Sequence, residues 1–151
     1  MSSDTVTLGE ICNAIRDTLG EATEVTTKYG YAELRESPQP ADLPMLTIFP
    51  ENGTCDISGG TDATTFSGFV RQKQFLIYAD VIAAQRSNLD EDMENTVDVI
   101  DSIINVLEEQ NDSFFGLDGI KSFHWRFEKA VYRYGNSVYL GARFGITVRV
   151  F

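Results

Sequence analysis

The sequence predicts an α+β fold with one mixed, largely antiparallel sheet of about four strands, two helices on one face and a long C-terminal β-hairpin. Two stretches, 7–19 and 87–111, repeat apolar residues at helical spacing. The chain closes on two extended runs, 121–134 and 137–151, that flank Gly135-Asn136. Glycine at the first central position suits a two-residue type II′ turn, so these runs are predicted to form the hairpin.

Length and charge limit what the protein can be. The chain has 151 residues, which is typical of one domain, so we predict a single domain over 1–151. It has 12 basic and 23 acidic residues and a net charge of −11. Nonspecific binding to DNA or to an anionic membrane needs a basic surface, so both are disfavoured. No run approaches the ~20 apolar residues of a membrane span, and we expect no association with membranes.

The first half predicts a helix, two short strands and a long loop. Thr7 and Glu10 have the spacing of a capping box at the start of the first helix. Weak strands are expected at 23–29 and at 45–49, the second of them stopped by Pro50. Residues 51–68 are rich in Gly, Thr, Ser and Asp and are predicted to form a flexible loop, with a tight turn at Asn52-Gly53. A loop of this length is either functional or simply mobile.

A long strand at 69–84 and a long helix from Ser87 are predicted next. The strand, the helix and 121–134 are expected to form a right-handed crossover. The predicted buried stripe of the helix consists of Leu89, Met93, Val97, Ile100, Ile104 and Leu107. A separate face is acidic and consists of Asp90, Glu94, Asp98, Asp101 and Glu108.

The closing hairpin has two unusual features. In its first arm Phe123, Trp125 and Phe127 are odd-numbered, whereas Tyr132 and Tyr134 are even-numbered, which predicts a bulge or bend near Glu128-Lys129. Each arm spans about 45 Å at ~3.3 Å per residue. A compact globule of this length is roughly 38 Å across. The hairpin is therefore expected to curl around the body or to project from it, exposing strand edges to other chains.

Charge is segregated along the second half. Residues 87–118 hold ten acidic residues and no basic ones, and 119–151 hold six basic residues and one acidic. The two segments either neutralise each other within one subunit or pair head to tail between subunits, and a solvated acidic helix face is the third reading. For the second case the predicted subunit interface consists of Asp90, Glu94, Asp98, Asp101, Arg126, Lys129, Arg133, Arg143 and Arg149.

No pattern of catalytic, metal-binding or cofactor-binding residues is found in the sequence, and we predict a protein that is not an enzyme and has no cofactor. The only histidine, His124, lies between two aromatic residues on a predicted strand, and no sequence signature supplies the nucleophile and the orienting acid that a catalytic histidine needs. Cys12 lies on the apolar side of the first helix and is expected to be a buried thiol. The aromatic and basic residues of 121–134 resemble a nucleic-acid stacking platform, but sheet core with solvated edges fits the negative charge better.

Several short runs of the second half are similar to the tail terminator family of long-tailed, non-contractile phages, also called tail completion or minor tail proteins. The similarity covers roughly residues 69–151. The runs that carry it are Tyr78-Ala79-Asp80-Val81, 86–90 (RSNLD), 119–123 (GIKSF), 139–144 (YLGARF) and 148–151 (VRVF). The first half agrees only in size and element order.

The resemblance implies a structural virion protein, located in the neck region of the tail and assembled in the host cytoplasm. Members of the family form a hexameric ring that caps the completed tail tube, stops further addition of tube subunits and offers a surface to the head–tail connector. DNA passes through the ring without specific binding. On this reading the loop docks onto the tail tube protein through Asn52, Gly53, Asp56, Gly59, Gly60 and Asp62. The alternatives are another neck component, such as a stopper or adaptor, and more remotely a small-molecule-binding or enzymatic α+β domain.

Overall fold

The protein is an α+β fold built on one five-stranded sheet. The computed structural model describes residues 6–34, 37–58, 70–110 and 113–150, with the backbone alone at 56–58 and 70–72. Its elements in chain order are α1 (Leu8–Leu19), β1 (Thr27–Tyr29), β2 (Met45–Ser58), β3 (Val70–Gln85), α2 (Leu89–Glu108), β4 (Ile120–Tyr134) and β5 (Ser137–Val150). The predicted fold class is confirmed, but the sheet has five strands where about four were expected.

The strands lie in the order β1-β2-β3-β5-β4. The short β1 runs parallel to β2, and every other neighbouring pair is antiparallel. Because β5 is antiparallel to both β3 and β4, those two strands run parallel to each other. Helix α2 connects them, and the last strand inserts between them. This arrangement places the two arms of the C-terminal hairpin at one edge of the sheet.

Both helices pack on the same face of the sheet. The Thr7 hydroxyl and the Glu10 side chain form the predicted capping box at the start of α1. The helix buries Ile11, Cys12, Ile15 and Leu19, and these join α2 and the helix-facing residues of β2, β3 and β5 in one core. Phe144, at the centre of β5, is fully buried in this core. Neither α-helix of the described chain packs on the opposite face of the sheet, and we call it the open face.

Helix α2 is rotated relative to the prediction. Asp92, Thr96 and Ser102 are buried, whereas Leu89 and Val97 of the predicted stripe are about half exposed. The polar residues satisfy their hydrogen bonds locally, so burying them costs little. Thr96 Oγ1 donates to the Asp92 carbonyl at 2.7 Å, and Ser102 Oγ donates to the Val99 carbonyl at 2.8 Å. The buried side therefore includes residues that hydrophobicity alone assigns to solvent.

The prediction of a loop over 51–68 is wrong for its first part. Strand β2 continues past Pro50 to Ser58, with a bulge between Pro50 and Asn52. The strand β1 pairs only with Met45–Thr47, so beyond that point no described strand covers the outer side of β2. A proline without an N–H is tolerated on such an edge. Asn52-Gly53 is not a turn, because both residues pair with β3; residues 59–68 lie outside the described part of the chain.

The C-terminal hairpin lies within the sheet. Its turn at Gly135 has a positive φ of 61°, as predicted for a two-residue turn. No bulge occurs at Glu128-Lys129, because the pairing of β4 with β5 is regular from Ser122 to Tyr134. The aromatic residues of β4 change from odd to even positions for another reason: the face on which they are half-buried changes along the strand. Near its start β4 half-buries Phe123 and Trp125 on the helix face, and near the turn it half-buries Tyr132 and Tyr134 on the open face.

Candidate interaction surfaces

The acidic side of α2 is exposed, as the sequence predicts. Asp90, Glu94, Asp98 and Asp101 all face solvent, as does Glu108. None of these carboxylates forms an ion pair with another described residue. At ~100° per residue, Asp90 and Asp101 fall within about 40° of the exposed Val97. An unpaired row of negative charge thus borders an apolar ridge.

The predicted basic residues do not form one surface. Arg126, Lys129 and Arg133 are exposed on β4. Side chains alternate along a strand, so Lys129 and Arg133 share the helix face with Phe127 and Val131, while Arg126 points to the open face. None of the three forms an ion pair with another described residue.

The other two predicted basic residues already have partners within the subunit. Arg149 Nε donates to Gln74 Oε1 at 3.0 Å, and Arg143 is bound to Asp80. Both lie on β5, between β3 and β4. Any contact that they make with a neighbouring subunit has to compete with these partners.

The exposed sides of α2 and β4 lie next to each other on one face of the subunit. A groove lined by Thr18, Ala22, Ser102 and Val106 lies between α1 and α2 and marks the side of α2 that faces α1. The opposite side of α2 carries Leu89, Met93 and Val97. Because α1 packs on β2 and α2 packs on β3 and β5, that side faces β4. We call this surface the α2–β4 face, defined by Leu89, Val97, Phe127, Lys129, Val131, Arg133 and the acidic row of α2.

The open face is organised around an ion pair that the sequence analysis did not single out. The Arg143 guanidinium binds Asp80 through two hydrogen bonds and lies 4.3 Å from the ring centroid of Tyr78. Its pKa is raised, chiefly because of the hydrogen bond to Asp80. The pKa of Tyr132 is also raised, first by burial and then by the charge of Asp80. In the sequence, the partner of Arg143 is indicated only by Asp80, which lies within the otherwise apolar 75–83 run.

A groove of about 330 Å³ runs along the open face beside this ion pair. Its volume is at the small end of the range for ligand pockets. It is lined by Leu34, Met45, Thr47, Phe49, Asp80, Ile82, Tyr132, Tyr134 and Arg143. Its two charged groups are bound to each other, so they add no unpaired charge to the groove.

The predicted docking residues lie partly on a two-stranded arm. Asn52, Gly53 and Asp56 are on β2 and pair with β3. The pairing of β3 with β5 begins only at Lys73, so residues 56–58 and 70–72 form a ribbon of two strands, which we call the β2–β3 arm. Gly59, Gly60 and Asp62 lie outside the described residues.

The described residues provide no evident metal site or membrane span. Within them, no group of three or more His, Cys, Asp and Glu side chains is arranged to hold a metal ion. No helix in the same part of the chain is long and apolar enough to cross a membrane. His124 is exposed on β4. Cys12 is buried, as predicted, and burial raises its pKa to about 11, which keeps the thiol protonated near neutral pH.

Comparison with known proteins adds no family: no family model matches the chain, and no curated protein shows significant similarity to it.

Proposed function

We propose that this protein is a tail terminator, a structural protein that forms a ring at the head-proximal end of a phage tail tube and stops the tube from growing. The observation that carries the proposal is that, among the described residues, no further strand pairs with either long edge of the sheet. On one side β4 is an edge strand over its whole length. On the other, β1 covers only three residues of β2, and no described strand covers the rest. Two open edges on opposite sides of a subunit suit head-to-tail assembly, which closes into a ring when the rotation allows.

Termination in this proposal is competition for a binding surface. The β2–β3 arm carries the predicted docking residue Asp56, and Asn52 and Gly53 lie at its base. A two-stranded ribbon can pair with strands or loops of the last ring of tube subunits. Once that ring is covered, another tube subunit has no surface on which to add. This mechanism needs no substrate and no turnover.

The charge of the chain fits passage of DNA through the ring. Each copy carries −11, so a ring of six copies, the number in the resembling family, is strongly negative. A negative lumen repels the phosphate backbone and disfavours its binding during transit. The head-facing side of the same ring would meet the connector.

The resemblance of residues 69–151 to tail terminators selects this function among assembly proteins. Another neck component, such as a stopper or adaptor, would use the same kind of open edges. The two differ in position, because a terminator contacts the last ring of the tube directly. The groove on the open face supports a different alternative, a small-molecule site, which would show itself as a ligand-dependent rise in melting temperature.

The test is the length of tails made without the protein. In a phage that lacks this chain we expect tails of irregular and excessive length, which electron micrographs measure directly. Supplying the intact chain should restore a narrow length distribution. Tails of normal length in its absence would contradict the proposal.

The register of the arm permits a sharper variant. Cys55 and Lys73 are paired across β2 and β3, so an Asn-Gly turn can replace residues 56–72 with the rest of the sheet intact. We expect this variant to keep its melting temperature but to fail in tail binding and in restoring tail length. If the shortened chain still bound tails, the arm would have no part in docking.

A further inference from the structure

The exposed apolar side chains are concentrated on the α2–β4 face. Large hydrophobic residues that are exposed in the described part of the chain number six, and four of them are Leu89, Val97, Phe127 and Val131. Each of the four is between 44% and 52% exposed. The remaining two, Tyr31 and Leu34, lie in the turn after β1. A concentration of apolar surface bordered by charge is typical of a protein–protein contact.

The charges on this face are divided into two strips. On α2, Asp90, Glu94 and Asp101 border the exposed Val97. On β4, Lys129 and Arg133 alternate with Phe127 and Val131 in one row of the helix face. Neither strip forms an ion pair with another described residue. One face thus carries an acidic strip beside apolar residues on α2 and a basic strip that alternates with apolar residues on β4.

We infer that this face binds the same face of a second copy of the chain, through a two-fold axis that runs between α2 and β4. The rotation places β4 of each copy opposite α2 of the other, so that the basic strip meets the acidic strip and Phe127 and Val131 meet Leu89 and Val97. In such a contact each pair of complementary residues occurs twice.

A second copy fits this face better than the far edge of the same sheet does. Along the described part of β2 that is free of β1, the exposed positions are Pro50, Glu51, Asn52, Gly53, Thr54 and Cys55. They supply no large apolar side chain to cover Phe127 or Val131 and no cation to meet the acids of α2. The α2–β4 face itself supplies both. Apolar matching and charge matching therefore select the same occupant.

The dimer does not depend on the proposed function, because it uses the α2–β4 face and not the open edges of the sheet on which that proposal rests.

A charge exchange between two variants tests the contact. Glu94→Lys with Asp101→Lys places two cations in the α2 strip, opposite the cations of β4, and Lys129→Glu with Arg133→Glu makes both strips negative. Each double variant alone should be monomeric in sedimentation velocity, because like charges face each other in both halves of the contact. An equimolar mixture should form a dimer, because every like-charged contact becomes a matched one.

Three results would overturn the inference. They are a wild-type chain that stays monomeric across the concentration series, double variants that dimerise as wild type does, and a mixture that stays monomeric or forms a larger ring. Val131→Asp should also abolish the wild-type dimer, whereas Leu34→Asp, an equally exposed position away from this face, should leave it intact. Circular dichroism confirms that each variant is folded. Because the readout is the mass of the purified chain, failure here says nothing about tail length, and failure of the tail-length test says nothing about the dimer.

Discussion

Arg143 and Asp80 are joined across β5 and β3 by two hydrogen bonds, from Nε to Oδ1 at 2.7 Å and from Nη2 to Oδ2 at 3.0 Å. The two residues are direct partners in the strand register. Arg143 also lies over Tyr78 and Phe49, with its guanidinium carbon 4.3 Å and 5.8 Å from the ring centroids. A one-residue slip of either strand would move its charge to the helix face and separate the pair, so this pair fixes the register of the two central strands.

Asp80→Asn is expected to destabilise the protein, because it removes a largely buried carboxylate and leaves the guanidinium without its counter-charge. Loss of one partner from such a pair costs about 1–3 kcal/mol when the other stays partly exposed. Urea unfolding followed by circular dichroism measures the change. Glu33→Gln is the matched control, because Glu33 pairs with Arg16 on the surface and should cost less than about 1 kcal/mol. Equal effects of the two substitutions would contradict the importance given to the Asp80–Arg143 pair.

Asp92 should be the most important carboxylate of α2 for stability. It is buried, and its Oδ2 accepts the backbone N–H groups of Ser87 and Asn88 at 2.7 Å and 2.9 Å. These bonds fasten the start of the helix, where the cap residue Asn88 makes no side-chain bond. Asp92→Ala should cost about 1–2 kcal/mol in the free energy of unfolding. Asp90→Ala, two residues earlier and exposed, should cost much less. A larger loss of stability from Asp90→Ala than from Asp92→Ala would show that the cap is not formed in solution.

Gly141 is predicted to tolerate no side chain. A Cβ at this position would clash with the Val81 carbonyl oxygen, which is backbone and cannot move aside easily. Gly141→Ala should therefore cost about 3 kcal/mol or more and lower the yield of folded protein. Gly145→Ala, four residues along the same strand, would place its Cβ at an ordinary 3.5 Å from Leu76 and should be mild. Comparable melting temperatures for the two variants would contradict the close approach of β5 to β3.

The two thiols should differ in reactivity and in their effect on pH stability. Burial raises the pKa of Cys12 from 9.0 to about 11, so the folded chain keeps a proton that the unfolded chain releases. The contribution of the Cys12 proton to the free energy of unfolding is therefore complete below pH 9. It is lost as the pH rises through about 11, and the loss amounts to about 2–3 kcal/mol. Tyr132, whose pKa is also raised, acts in the same direction, so the comparison is wild type against Cys12→Ala, whose stability should fall less.

Alkylation of the thiols checks the same point independently. Near neutral pH the folded chain should react at the exposed Cys55 and the unfolded chain at both cysteines. Cys55→Ser should be unreactive until it is unfolded. Rapid modification of folded Cys55→Ser would show that Cys12 is not buried in solution.

The sequence predicted those elements whose local pattern and tertiary role agree. The first helix and its cap, the central strand, the closing hairpin and its turn all follow from residues close together in the chain. Strand β2 was missed beyond Pro50 because its outer half is polar, and it is held by pairing with β3 rather than by its own hydrophobicity. The orientation of α2 was missed because Asp92, Thr96 and Ser102 satisfy their polar groups through nearby backbone.

The candidate surfaces were predictable in charge but not in position. The sequence identified the acidic row of α2, and the structure exposes it. It also grouped Arg126, Lys129, Arg133, Arg143 and Arg149 as one basic surface, which strand alternation and intramolecular pairing divide. That Lys129 and Arg133 lie beside α2, on the same face as Val97, depends on the strand order, which residue patterns alone do not specify.

The most direct test of the central claim is the position of this chain on the virus particle. An affinity tag on the chain, marked with gold and imaged on isolated tails by negative-stain electron microscopy, reports that position. A terminator should appear at one end of each tail only, the end that joins the head, in direct contact with the last ring of the tube. Label spread along the tube, label on heads alone, or no label on tails would contradict the account.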